Sequence, residues 1–165
     1  MRRWLTGWLL AVSLMSPWLA WGVSPQTWVQ GTAQTYITTN TALTNNSLVL
    51  SGTFSASPAG YMFADCELNI ASTSGTVTAG TTVLGWFKRS VDGTTFEDGS
   101  TTVTPRRNPD MSFPLDAVNT AQRIIRSDIR MPPGSFQLLI KNDGTGVSLQ
   151  GTPWTVKCTL YTPQY

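Results

Sequence analysis

Two stretches of the chain alternate between apolar and polar residues, and each carries a cysteine on its apolar side. From Tyr61 to Ala71, Met62, Ala64, Cys66, Leu68 and Ile70 fall on one side, with Phe63, Asp65, Glu67 and Asn69 on the other. Near the end, Trp154, Val156, Cys158 and Leu160 oppose Thr155, Lys157, Thr159 and Tyr161. Two is the side-chain period of a β-strand, so each stretch reads as a strand with one face in a core and one in water. A sheet with one apolar face must bury it against another layer, which constrains the chain to a sandwich or a barrel.

Helical periodicity is almost absent after residue 25, and short β-rich runs separated by Gly, Pro, Asn and Asp recur through the rest. The expected strands are Thr27 to Gln30, Gln34 to Thr39, Ser47 to Phe54, Tyr61 to Ala71, Thr81 to Arg89, Ser100 to Thr104, Gln122 to Met131, Phe136 to Lys141 and Trp154 to Tyr161. That makes about nine strands in an all-β, antiparallel sandwich, with residues 23–165 as a single domain. Asp92-Gly93 and Asp143-Gly144 are hairpin signals. Pro132-Pro133-Gly134 separates two strands, because proline cannot donate to a ladder. Thr104 to Asn119 holds three prolines and little alternation, and reads as a long surface connection suited to touching a partner.

Residues 1–22 form a hydrophobic leader: Arg2-Arg3, then an apolar run, then Ala20-Trp21-Gly22, a small-x-small pattern with the cut before Val23. The run is broken by Thr6, Gly7, Ser13, Ser16 and Pro17 and falls short of the roughly 20 uniform residues of a membrane helix, so no stable membrane span is expected. Retained rather than cleaved, the leader reads as an assembly arm, in which Trp4, Trp8, Trp18 and Trp21 would dock into a neighbouring subunit.

The leader bears on the cysteines. In an exported protein a Cys66–Cys158 disulfide would tie the middle of the domain to its last strand. In a protein assembled in the cytoplasm the two would remain buried thiols.

Chemistry is narrowly bounded. The chain contains no histidine, which removes Ser-His-Asp and Cys-His catalysis and the commonest zinc ligand. The two cysteines lack the C-x-x-C spacing of a metal or redox pair. Asp65 and Glu67 share a strand face, as a glycosidase pair could, but alternating acids on a strand are the ordinary solvated face. The loop Asp92 to Gly99 gathers three acids without the register of a calcium loop. No catalytic, cofactor or metal residue is therefore assigned. Charged residues make up 12% of the chain against about 25% in an average domain, which leaves a polar, weakly charged surface. With Arg2 and Arg3 in the leader, the remaining basic residues are scattered, and no nucleic-acid footprint emerges. Tyr61 and Tyr161 are candidates for stacking against a sugar, whereas Trp86 and Trp154 sit in core-patterned strands.

Two segments carry a resemblance. Gly85-Trp86-Phe87-Lys88-Arg89-Ser90-Val91-Asp92-Gly93-Thr94-Thr95-Phe96 ends a strand in a Ser-x-Asp-Gly-Thr turn. Met131-Pro132-Pro133-Gly134-Ser135-Phe136-Gln137-Leu138-Leu139-Ile140-Lys141-Asn142-Asp143-Gly144-Thr145-Gly146 runs from hydrophobics into Lys-Asn-Asp-x-Thr-Gly. Together they resemble small virion proteins of tailed bacteriophages. The resemblance implies a jelly-roll-like sandwich placed on the particle as a head decoration, collar, tail or fibre component, with other virion proteins and copies of itself as partners and no catalytic residues. The leader departs from that pattern, since most phage structural proteins carry no export signal. The leader and the cysteine pair instead suit a secreted or periplasmic module that binds a cell-surface glycan or matrix component.

Overall fold

The structure is a computed structural model that describes residues 27–55, 60–150 and 153–164. The leader 1–22, with Trp4, Trp8, Trp18 and Trp21, lies outside the described residues. In chain order the strands are β1 Thr27–Thr39, β2 Leu48–Ser55, β3 Phe63–Ile70, β4 Ser72–Thr73, β5 Thr82–Ser90, β6 Met111–Pro114, β7 Gln122–Arg130, β8 Ser135–Asp143, β9 Leu149–Gln150 and β10 Trp154–Gln164. One sheet runs β1-β10-β3-β7, the other β2-β8-β5-β6, and the short β4 and β9 pair with each other. All pairings are antiparallel. With the two short strands set aside, the chain crosses between the sheets at every step except β5 to β6, which are neighbours in one sheet, and this is the order of a jelly roll, two interlocked Greek keys. Among the described residues no helix is long and apolar enough to cross a membrane.

The alternation read in β3 and β10 decides which faces meet. Ala64, Cys66, Leu68, Ile70 and Val156 are fully buried, and Cys158 and Leu160 nearly so. The other sheet contributes Val83, Phe87, Phe113, Phe136, Leu138 and Ile140 to the same core. Tyr36 of β1 fills one end, edge-on to Phe54 at 4.5 Å and to Phe136 at 5.5 Å between ring centroids. Large side chains of this kind each contribute about 1.5–3 kcal/mol on burial, which is what holds the layers together. Cys66 and Cys158 stand directly opposite each other on paired strands and are joined in a disulfide.

Three strand assignments change. Thr27 to Gln30 and Gln34 to Thr39 are one strand, whose register slips between Gln30 and Ala33. Gly31 lies in that slip, where a Cβ would come within 2.9 Å of the Tyr61 ring. Ser100 to Thr104 is not a strand: Ser100 Oγ accepts from the backbone N–H groups of Thr102 and Val103 and closes a turn. Local hydroxyl bonding there outcompetes the β preference of Thr101-Thr102-Val103. The supposed connection Thr104 to Asn119 contains β6, whose Met111 and Phe113 point into the core. Four residues ending in proline are too few to show a period, and an edge strand tolerates Pro114.

A second, smaller apolar cluster lies on the outer face of the β2-β8-β5-β6 sheet. Trp86 and Leu139 are cross-strand partners there and are almost wholly buried, yet lie outside the inter-sheet core. The segment between β5 and β6 folds back over them, bringing Pro105 and Leu139 against Gly99. Arg107 and Asp110 secure it. Asp110 accepts the Phe87 N–H at 2.7 Å, and Arg107 donates to the Phe87 carbonyl at 2.7 Å and to Asp110 at 2.8 Å. Beyond Gly85, where β6 no longer pairs with β5, these two side chains thus stand in for a neighbouring strand.

Candidate functional site

The outer face of the β1-β10-β3-β7 sheet carries a row of side chains set by cross-strand register. Gln30 of β1 lies opposite Tyr161 of β10, which lies opposite Phe63 of β3. Trp28, two residues before Gln30, shares that face and is 54% exposed. Its ring meets Tyr161 edge-on at 5.4 Å and 74°, while Phe63 stacks on Tyr161 at 5.8 Å and 23°. Three aromatic rings from three strands thus form one connected surface.

Beside them sit two carboxylates. Asp65 follows Phe63 on the same face of β3. Opposite it β7 bulges: Ile129 pairs with Ala64 and Arg126 with Cys66, so Ser127 and Asp128 face Asp65 alone. Asp128 takes a positive φ of 59°, which side-chain-bearing residues rarely adopt. Its N–H reaches Asp65 Oδ1 and the Tyr161 hydroxyl oxygen, each at 3.2 Å, and the Tyr161 hydroxyl donates to Asp128 Oδ1 at 2.7 Å. Burial, then the bond to Asp128 and the charges of Asp65 and Asp128, push the Tyr161 phenol above its ordinary range. It therefore stays a neutral donor at physiological pH. Trp28, Gln30, Asp65, Asp128 and Tyr161 line a cleft of about 310 Å³. An apolar ring surface next to fixed acceptors can hold a flat amphipathic ligand.

The two tyrosines singled out from the sequence do not share a platform. Tyr61 packs against the core and Gly31, at the edge of a separate cleft of about 360 Å³ lined by Gly60, Met62, Arg130, Met131, Pro133 and Gly134. Trp154 is buried, its indole N–H donating to the Thr41 carbonyl at 3.0 Å. Trp86 is buried too, its N–H bound to the Arg107 carbonyl at 3.1 Å. Trp28 escaped the sequence reading; its signal was a tryptophan and a glutamine two apart on an expected strand.

The acids weighed for chemistry have structural partners. Glu67 pairs with Arg123 at 2.6 Å, which separates it in role from Asp65. Asp92 accepts from the Thr95 and Thr94 N–H groups and from Ser90 Oγ, which hold its carboxyl well below the usual carboxylate range. Glu97 pairs with Arg107 at 3.2 Å, and Asp98 accepts the Arg106 N–H at 3.2 Å. Among the described residues no three His, Cys, Asp or Glu side chains gather as metal ligands.

The Lys-Asn-Asp-x-Thr-Gly motif is a turn pinned by two buried side chains, Asn142 and Thr145. Asn142 Nδ2 donates to the Leu43 and Val147 carbonyls at 3.0 and 2.8 Å, and Thr145 Oγ1 donates to Asn142 Oδ1 at 2.6 Å. Gly144 and Gly146 both have positive φ, and their N–H groups are met by the side chains of Asn46 and Asn45.

Compared with family models, with curated proteins and with solved structures, the chain matches none.

Proposed function

We propose that this chain is a non-catalytic structural protein of a bacteriophage virion, carried on the head, collar, tail or fibre and acting through contacts with other virion proteins and with copies of itself. The observation that carries the reading is where the two motif-bearing segments meet. β5 and β8 pair over their whole length, from Thr82 with Asp143 to Ser90 with Ser135. The Ser-x-Asp-Gly-Thr turn therefore lies against Pro133-Gly134-Ser135, and together they line a surface cleft of about 590 Å³. The fully exposed Val91 stands at its rim. The two segments that carry the resemblance are thus neighbouring strands, with the Ser-x-Asp-Gly-Thr turn at one end of the pair and Lys-Asn-Asp-x-Thr-Gly at the other. Jelly rolls recur in viral capsid and lectin domains, a fold-level analogy that favours a binding or assembly role. Peptide and intact-mass analysis of purified particles tests the reading: the chain should be present, and its absence overturns the proposal.

A secreted or periplasmic glycan- or matrix-binding module is the second reading. The disulfide favours it, because such bonds persist in oxidising compartments. Mature protein beginning at Val23 and free of particles would support it over the first.

A further inference from the structure

We infer that the outer face of the β1-β10-β3-β7 sheet is a binding site for a neutral saccharide unit, with Trp28 as the stacking surface and Asp65 and Asp128 as acceptors for its hydroxyls. Three independent features point there.

The first is that Trp28 is exposed yet held. At 54% exposure its ring stays open to a ligand, while the edge-on contact with Tyr161, itself stacked on Phe63, orients it. A large ring with few rotors, already oriented, loses little freedom when a pyranose face packs on it.

The second is the conformation of Asp128. Glycine would meet a φ of 59° without strain, and the bulge has aspartate instead. The strain turns a carboxylate toward Tyr161 and into the cleft with Trp28.

The third is the remaining bonding capacity. Asp65 and Asp128 each use Oδ1 within the protein, and their Oδ2 atoms have no bond among the described residues. Two acceptors beside an aromatic plane match the hydroxyl edge and the apolar face of a sugar. Their charge disfavours sialylated or uronic-acid sugars. A cage for an ammonium group is the competing geometry, and it requires ring faces set across a gap. Here the rings touch one another, at 5.4 and 5.8 Å between centroids, and form a surface instead.

The test uses the full chain on an array of neutral, N-acetylated, sialylated and uronic-acid oligosaccharides, followed by titration of whatever binds. Neutral glycans should bind. Trp28→Ala should weaken that binding by up to about tenfold, the scale of one lost stacking contact. Asp128→Gly should abolish it with little change in the melting temperature, since relief of the strain offsets the lost bond from the Tyr161 hydroxyl. Binding that survives both substitutions overturns the inference, as does a preference for acidic glycans or no binding to any neutral glycan. A Trp28→Ala variant that changes only the oligomeric state overturns it too, and assigns the face to a second copy of the chain. These outcomes are separable from the virion reading: a chain found in particles that binds no sugar refutes the site alone.

Discussion

Removing the disulfide between Cys66 and Cys158 tests how far one covalent link governs this sandwich. The cysteines are 92 residues apart, so the bond closes a long loop in the unfolded chain. Chain-entropy arithmetic for a loop of that length gives about 4–5 kcal/mol at 25 °C, a large share of the 5–15 kcal/mol typical of a domain. Guanidinium unfolding of the protein with and without reductant should show a loss of that size, equivalent to about 10–20 °C in melting temperature. The slope of free energy on denaturant should also rise on reduction, because an unlinked unfolded chain exposes more surface. Both sulfurs are buried, so the Cys66→Ala/Cys158→Ala variant should lose about 1–2 kcal/mol more than reduction alone, from lost packing. A reduced protein within about 1 kcal/mol of the oxidised one, with an unchanged slope, would refute the reasoning. Thiols open to alkylation in native protein that has never been reduced would refute the bond itself.

Three further outcomes follow from the packing. Arg107→Ala should cost about 2–3 kcal/mol in chemical denaturation and speed exchange of the Trp86 indole N–H by NMR, because Asp110 loses the nearer of its two cations, keeping only Arg89 at 3.9 Å, and the Phe87 carbonyl loses the guanidinium donor. Asn142→Ala should cost about 2–3 kcal/mol by the same measurement, since it removes three side-chain bonds at a buried position, although the Leu43 carbonyl keeps the Leu149 N–H and the Val147 carbonyl keeps the Thr145 hydroxyl. Tyr36→Phe should be neutral or stabilising by up to about 1 kcal/mol, because the buried Tyr36 hydroxyl has no hydrogen-bond partner among the described residues while its ring contacts persist. Burial pushes the Tyr36 phenol up to about 12. The unfolded chain therefore releases that proton first, and the stability associated with Tyr36 is full below about pH 10 and falls as pH rises toward 12. In Tyr36→Phe that share of the alkaline slope should vanish from a denaturation series at rising pH.

The strand period of Tyr61 to Ala71 and of Trp154 to Tyr161 was enough to say which side chains face inward, because pleating is local and independent of what lies across the sheet. The same logic put Phe63, Asp65 and Tyr161 outward. Missing histidine and the Asp-Gly turns are equally local facts, legible residue by residue. Pairing is not local. That Cys66 meets Cys158, that Trp28 meets Tyr161, and that a bulge sets Asp128 beside Asp65 depend on register between strands as much as about 130 residues apart. Trp86 is the sharpest instance. Its strand looked buried and is buried, but on the outer face, because the segment carrying Arg107 and Asp110 folds back over it. The sequence by itself determined an all-β chain with two inward cysteines. Only the tertiary structure decided that strands from both ends and the middle of the chain assemble the aromatic and acidic cleft, since such a surface exists only once the sheet has formed.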